Sequence, residues 1–153
     1  MKQVIVLHDA FLKPTDAWYQ SIGTLIPQGY TLVTPELPEG NLQGAEFWIP
    51  ALEKYKEQFN DDTILITHGL SSLLAIKFLE TLSVSIKLFV SIAGTAQVPD
   101  HKGYAPIAKT FLQETVTLEK VTAHTKKIIH IWNAADPFID PSFSLFFSEK
   151  VPG

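Results

Sequence analysis

The most constraining feature of this sequence is its regular alternation of short apolar runs with longer amphipathic segments. The apolar runs are rich in β-branched residues, as strands buried on both faces of a parallel sheet are. They occupy residues 4–7, 30–33, 63–67, 86–92 and 128–132, and helices are expected at 17–26, 47–59, 70–82, 104–123 (with a break) and from 141 to 149. The alternation predicts one α/β domain over residues 1–153, with a mostly parallel sheet and helices on both faces.

Composition and charge exclude several classes of function. The chain has 12 basic and 16 acidic side chains, a formal net charge of −4, and lysine as its only strongly basic residue. A nucleic-acid partner is therefore not expected, because such proteins show a basic surplus and arginine contacts. There is no cysteine, so thiol chemistry is impossible. No apolar run is long enough to span a membrane, and we expect a cytoplasmic protein without a membrane partner.

Polar side chains follow three of the predicted strands at the point where each strand ends. His8 and Asp9 follow the first strand, His68 and Ser71 follow the third, and Asp136 follows the fifth. In parallel α/β sheets, ligands bind beyond the carboxyl ends of the strands. The functional site is therefore expected at this edge.

The segment from Thr63 to Leu82 has the pattern of a nucleophile elbow, a tight turn that joins a strand to a helix. In such a turn the nucleophile projects above the sheet, and backbone N–H groups at the helix N-terminus face the developing oxyanion. Gly69 lies at this turn. Glycine suits its strained backbone, but it supplies no nucleophile.

Several short motifs follow one another in a characteristic order: residues 6–10 (Val-Leu-His-Asp-Ala), Trp18, 35–38 (Pro-Glu-Leu-Pro), Trp48, 65–71 (Leu-Ile-Thr-His-Gly-Leu-Ser), 91–94 (Ser-Ile-Ala-Gly) and 136–139 (Asp-Pro-Phe-Ile). With these motifs the chain resembles the small YdeN-like serine hydrolases, the group that includes the retinoblastoma-binding-protein-nine-like proteins. The resemblance implies an α/β-hydrolase fold that is truncated at the C-terminus and lacks the usual last strand and helix.

The resemblance also implies where the catalytic groups would lie. The nucleophile position falls on Gly69, Asp136 matches the triad aspartate, and the N–H groups of Ala10 and Leu70 match the oxyanion hole. No histidine follows Asp136, so the family's catalytic base has no counterpart. Our leading hypothesis is a non-catalytic, pseudo-hydrolase domain that binds a small acyl or ester ligand or another protein, without a cofactor.

Three alternatives remain open from the sequence. The chain could be a mutated or truncated form of a carboxylesterase-type hydrolase. His8 and His68 could bind a metal with Asp9 or Asp136, although no tight ligand spacing favours a metal and both histidines fit buried positions satisfied by the backbone. Ser71 could be a displaced nucleophile, although a hydroxyl bonded at the helix N-terminus explains it as well.

The end of the chain suggests an interface. Phe143, Phe146 and Phe147 lie on the last predicted helix, and the strand that this helix leads into in the family is absent. A shortened sheet leaves an edge and apolar surface that need cover. We therefore expect a homodimer or a protein partner. Asp136 also fits a turn cap before Pro137, and we assign no role to His101, His124 or His130.

Overall fold

A computed structural model describes all 153 residues as a five-stranded sheet flanked by six α-helices. In chain order the elements are β1 (Gln3–Leu7), α1 (Ala17–Gly23), β2 (Thr31–Val33), α2 (Ala45–Glu53), β3 (Ile64–His68), α3 (Ser71–Leu79), β4 (Leu88–Ile92), α4 (Tyr104–Phe111), α5 (Leu118–Ala123), β5 (Ile128–Ile131) and α6 (Pro141–Lys150). Every strand pair is parallel and the order is β2-β1-β3-β4-β5. The predicted α/β class with a parallel sheet is confirmed.

The break expected within 104–123 is present at residues 112–117, between α4 and α5. The helix predicted at 47–59 differs from its expected bounds, because α2 begins at Ala45 and Pro50 lies in its second turn. A proline there removes one helical N–H donor. The helix ends soon afterwards, at Glu53, and a short 3-10 turn follows at Lys56–Gln58.

The two faces of the sheet are covered unequally. On one face α2 to α6 pack over a large core whose members include Leu65, Phe89 and the fully buried Trp48. Phe147 of α6 also belongs to this core and packs against Phe89, so α6 does not present it as open apolar surface. On the other face α1 covers mainly β1, through Tyr19. Helices therefore lie on both faces, as predicted, but five lie on one side and one on the other.

The uneven cover leaves an aliphatic depression beside α1, here called the α1-side groove. Its volume is about 410 Å³, and its lining is almost wholly apolar: Val4, Trp18, Ser21, Ile22, Leu25, Ile26, Pro27, Ile64, Ile66, Leu88, Val90, Ile92 and Ile131. The side chains that alternate with them along β3 and β4, such as Leu65 and Phe89, are fully buried. Successive side chains of a strand point to opposite faces of the sheet. One set of residues in β3 and β4 therefore lies in the core, and the alternate set lines the groove.

The sheet ends at β5, which has β4 as its only strand neighbour. At the carboxyl end of β5, the last ladder residue Ile131 is 50% exposed and the following Trp132 is 41% exposed. None of the helices combines the length and the hydrophobicity that crossing a bilayer requires.

Candidate functional site

The turn between β3 and α3 has the backbone geometry expected of an elbow. Gly69 lies at φ +56°, in the left-handed region, which glycine enters without the steric cost that a Cβ brings. Its N–H donates to the carbonyl oxygen of Ile92 at the end of β4 (2.9 Å). The bend is therefore tied to the neighbouring strand, directly above the carboxyl ends of β3 and β4.

The carboxylate of Asp9 lies at this turn and accepts three hydrogen bonds. Its Oδ1 accepts hydrogen bonds from the backbone N–H groups of Ala10 (2.7 Å) and Leu70 (2.8 Å). Its Oδ2 accepts a third from the hydroxyl of Tyr104 (2.8 Å). Ala10 and Leu70 carry the two donors that the family resemblance assigns to the oxyanion hole. In this chain, both already bind a side chain of the protein.

The same carboxylate also fills the space in which a nucleophile would begin. A Cβ built at Gly69 would overlap Asp9 Cγ and both of its carboxylate oxygens. Asp9 is held in place because its own N–H donates to the hydroxyl of Tyr19 (2.8 Å) and because it is only 4% exposed. Glycine at position 69 and aspartate at position 9 are therefore sterically linked.

Burial dominates the electrostatics of Asp9. Desolvation raises the pKa of this carboxyl from 3.8 to about 7, against the lowering effect of the hydrogen bonds from Leu70, Tyr104 and Ala10. Repulsion from the carboxylate of Asp136 raises the pKa further. The three donors therefore do not fully replace the lost hydration, and Asp9 changes its charge near neutral pH.

A cavity of about 270 Å³, here called the strand-end pocket, opens above Asp9. It is lined by Asp9, Ala10, Phe11, Leu12, His68, Gly69, Ala93, His101, Tyr104, Asp136, Phe138 and Ile139. Loops that follow β1, β3, β4 and β5 all contribute to it, as expected for the carboxyl edge of a parallel sheet. Five of the residues singled out in the sequence line it: Asp9, Ala10, His68, Gly69 and Asp136.

Solved structures with a similar fold include esterases and a hydrolase. The ydeN gene product from B. subtilis superposes with a TM-score of 0.86 at 21% identity, over 99% of this chain and 81% of that one. The chain has the α/β-hydrolase fold. The predicted resemblance to the YdeN-like structures is confirmed at the level of the fold.

More distant members of this fold match as well. A polyneuridine aldehyde esterase mutant (H244A) gives a TM-score of 0.70 at 15% identity, over 98% of this chain and 87% of that one. Est1E from Butyrivibrio proteoclasticus gives 0.69 at 13% identity, over 98% and 74%. No protein-family model matches the sequence, and neither does any curated protein. At these identities the likeness concerns the α/β-hydrolase fold alone.

Ser71 lies where an α/β-hydrolase elbow passes into its helix, and it is fully buried. Its Oγ accepts from the N–H of His68 (3.0 Å) and lies within hydrogen-bonding distance of the carbonyls of Leu7 (3.0 Å) and His68 (2.9 Å). The hydroxyl joins the ends of β1 and β3 rather than the helix N-terminus. It does not line the strand-end pocket.

The two strand-end histidines have different surroundings. The Nδ1–H of His8 donates to the carbonyl of Asp9 (2.9 Å), and its Nε2 accepts from the N–H of Leu37 (3.1 Å). Both nitrogens are thus engaged by backbone, and burial lowers the pKa of His8. His68 stacks on Trp18 with ring centroids 4.8 Å apart, and its Nδ1 lies 2.8 Å from the Tyr19 hydroxyl. Burial lowers the pKa of His68 also.

These contacts bear on the metal alternative. A metal bound by His8 needs a free ring nitrogen, and His8 has none. No group of three or more potential ligands among histidine and acidic side chains converges anywhere in the chain. The donor set that the sequence left open at His8 and His68 is therefore not assembled.

Asp136 caps a local turn and also lines the pocket. Its Oδ1 accepts from the N–H groups of Phe138 (2.8 Å) and Ile139 (3.0 Å), which caps the turn after Pro137. Its side chain also lines the strand-end pocket. Asp136 therefore has a local structural role and also faces the cavity.

Sequence reasoning missed three aromatic residues of the site. Tyr104, at the start of α4, donates to Asp9, and Tyr19 on α1 binds the backbone of Asp9. His101, to which we assigned no role, lines the pocket. All three come from segments far from the elbow in sequence. A buried aspartate in a tight turn requires hydrogen-bond donors. This requirement is the one signal in the sequence that could have prompted a search for residues such as Tyr104.

Proposed function

We propose that this protein is a non-catalytic member of the α/β-hydrolase fold that binds a small ligand in the strand-end pocket. One observation carries the proposal: a single carboxylate oxygen of Asp9 accepts from both Ala10 N–H and Leu70 N–H. An oxyanion hole accelerates acyl transfer only when its donors are free to meet the charge that develops in the transition state. Here a resident carboxylate would compete with that charge.

The lack of a nucleophile supports the same conclusion. Acyl transfer by a serine hydrolase needs a hydroxyl, a histidine base and an orienting carboxylate. Gly69 supplies no hydroxyl, and Ser71 is buried and bonded to backbone. Since removal of any one triad member costs several powers of ten in rate, the site would not sustain hydrolysis without a nucleophilic hydroxyl at position 69.

The alternative of a carboxylesterase requires serine at position 69. Its Cβ would collide with Asp9, so a Gly69→Ser change alone would not rebuild a working site. Likewise, an acyl or ester ligand could reach the N–H groups of Ala10 and Leu70 only if the Asp9 side chain left them. A ligand that leaves Asp9 in place is therefore favoured.

A fluorophosphonate probe tests this proposal, because it labels activated serines. We expect no labelling of the wild-type protein, and none of Gly69→Ser, under conditions that label an active serine hydrolase completely. Hydrolysis of p-nitrophenyl acetate should not exceed that of the heat-denatured protein. Stoichiometric labelling of any serine in the wild-type chain would overturn the proposal.

We also propose that two copies associate through the open edge at β5. An edge strand with exposed apolar side chains tends to pair with another strand, and Ile131 and Trp132 are half exposed there. A two-fold axis would place the same surface on both partners. Analytical ultracentrifugation should show a dimer that Ile131→Lys converts to a monomer. A wild-type monomer at high concentration would contradict this assembly.

A further inference from the structure

The wall of the strand-end pocket carries a cluster of aromatic rings, here called the aromatic wall: Phe11, His101, Tyr104 and Phe138. The rings pack edge to face, with centroid separations of 5.7 Å (Phe11–Tyr104), 5.0 Å (His101–Tyr104), 5.8 Å (His101–Phe138) and 6.1 Å (Tyr104–Phe138). Each ring is thus held by at least one other. The cluster is a preformed surface, which binds with a smaller ordering cost than mobile side chains do.

Two of these rings are unusually open to solvent. Phe11 is 60% exposed and Phe138 is 54% exposed. Both line the pocket, so their exposed surface is available to a ligand inside it. Phe11 moreover adopts φ +64°, a conformation uncommon for a bulky residue. An apolar ring held open beside a cavity is a feature typical of a binding site.

The charges in the pocket are of one sign. Asp9 and Asp136 both line the pocket, and no lysine is among the residues that line it. Repulsion from Asp136 raises the pKa of Asp9, so the interaction between the two carboxylates is unfavourable when both are charged. His68, a partly buried residue of the lining, has a pKa that burial lowers, which disfavours its positively charged form. A cation inside the cavity would relieve this repulsion.

We propose that the strand-end pocket binds a small organic ammonium ion, held by the carboxylates of Asp9 and Asp136 and by the faces of the aromatic wall. Aromatic faces attract cations through the ring quadrupole, and they do so most strongly where water is excluded. The cavity of about 270 Å³ limits the ligand to a compact head group such as trimethylammonium. This inference rests on the proposed ligand-binding function and specifies its ligand class.

The matched probes are choline and its neutral carbon isostere, 3,3-dimethylbutan-1-ol, titrated into the wild-type protein at pH 8 and followed by NMR chemical shifts. The two compounds have nearly the same shape and differ in charge. We expect saturable binding of choline at the pocket and at least tenfold weaker binding of the isostere. Equal affinities would overturn the ammonium assignment, as would the absence of any choline binding.

Two variants locate the site. Asp136→Asn keeps the Oδ1 acceptor that caps the turn at Phe138 and Ile139 and removes only the charge. It should weaken choline binding about fivefold or more. Phe138→Leu should weaken choline more than the isostere. Glu149→Gln, which makes the same charge change outside the pocket, should leave choline affinity unchanged. An equal loss in Glu149→Gln and Asp136→Asn would place the effect in the overall charge and overturn the site.

The failure of this inference is distinguishable from failure of the proposed function. If the isostere binds as well as choline does, a non-catalytic pocket with a neutral ligand remains. If a fluorophosphonate labels the wild-type chain, the non-catalytic proposal fails, whatever choline does.

Discussion

The strand-end pocket and the α1-side groove lie beside the same sheet, but they differ in how their lining groups are accommodated. The key polar group of the pocket has its hydrogen-bond partners, whereas the apolar side chains of the groove lack cover. In the pocket, Asp9 receives three hydrogen bonds from within the protein. In the groove, aliphatic side chains such as Ile66 and Val90 remain partly exposed because α1 is the only helix on that face. A few well-placed donors, here two backbone N–H groups and one hydroxyl, can serve as the hydrogen-bond partners of a buried polar group. Apolar surface is removed from water only when another element of sufficient size covers it.

The largest effect on stability should come from adding a side chain at Gly69, next to the Asp9 carboxylate. Gly69→Ser places a Cβ on the Asp9 carboxylate and at a strained φ. We expect a loss of about 3 kcal/mol in the free energy of unfolding, from overpacking and strain together. Urea denaturation measures it. The double variant Asp9→Gly with Gly69→Ser should recover at least half of that loss, and strict additivity of the two changes would contradict the proposed steric link.

A smaller effect should follow from removing the buried charge. Because the folded-state pKa of Asp9 is about 7, above that of an exposed aspartate, the native state binds the proton more tightly. Asp9 therefore lowers stability progressively as pH rises from about 4 to 7, and the full cost is present above pH 7. The pKa shift corresponds to a full cost of about 4 kcal/mol for the buried charge. We expect Asp9→Asn to raise the free energy of unfolding at pH 8 by about 2 kcal/mol, which is half of that cost.

Urea denaturation at pH 5 and at pH 8 checks the sign of this effect. At pH 5 the wild-type Asp9 is already protonated in the native state, so the gain from Asp9→Asn should be much smaller there. An equal gain at both pH values would show that the charge of Asp9 is not its cause.

The hydroxyl of Ser71 should have a moderate, purely structural effect. Ser71→Ala leaves the N–H of His68 and the carbonyl of Leu7 without this partner in a buried site. We expect a loss of about 1–2 kcal/mol, measured by urea denaturation. Ser85→Ala is the control, because Ser85 is only partly buried and its Oγ bonds only the carbonyl of Ala123 (3.2 Å); it should change stability by less than about 0.5 kcal/mol.

The smallest effect should lie in the groove. Val90→Thr adds a hydroxyl that water can still reach, so we expect a loss below about 0.5 kcal/mol. Val6 lies on the same face of the sheet but is covered by α1 and 2% exposed. Val6→Thr should therefore cost about 1–3 kcal/mol, because its hydroxyl is buried without a partner. Equal losses in the two variants would show that the groove is filled in solution.

The strands could be predicted closely because their signal is local. Runs such as residues 63–67 are short, apolar and β-branched, and β3 forms at Ile64–His68. The strand predicted to start at Ile86 begins at Leu88, because Ile86 makes only an isolated bridge to Thr125. Helix ends were less accurate, since α1 ends at Gly23 and α4 at Phe111. Packing against the sheet decides these ends, and a single sequence does not describe that packing.

The site could be predicted only in part. The order of motifs located Gly69 and Leu70 after β3 and Ala10 after β1, and the carboxyl ends of these two strands meet because the strands are parallel neighbours. The orientation of the Asp9 carboxylate was not predictable. It depends on Tyr104, which lies 95 residues away, and on Tyr19.

By itself, the sequence determined the parallel α/β architecture, the absence of a thiol and the glycine at the tip of the elbow. Period, composition and turn chemistry are encoded residue by residue, so these properties need no long-range contact. Only the tertiary structure decided that the Asp9 carboxylate accepts from the N–H groups of Ala10 and Leu70, that four aromatic rings line a pocket with two carboxylates, and that one face of the sheet lies open. These features depend on distances between segments remote in sequence, and such distances exist only once the chain has folded.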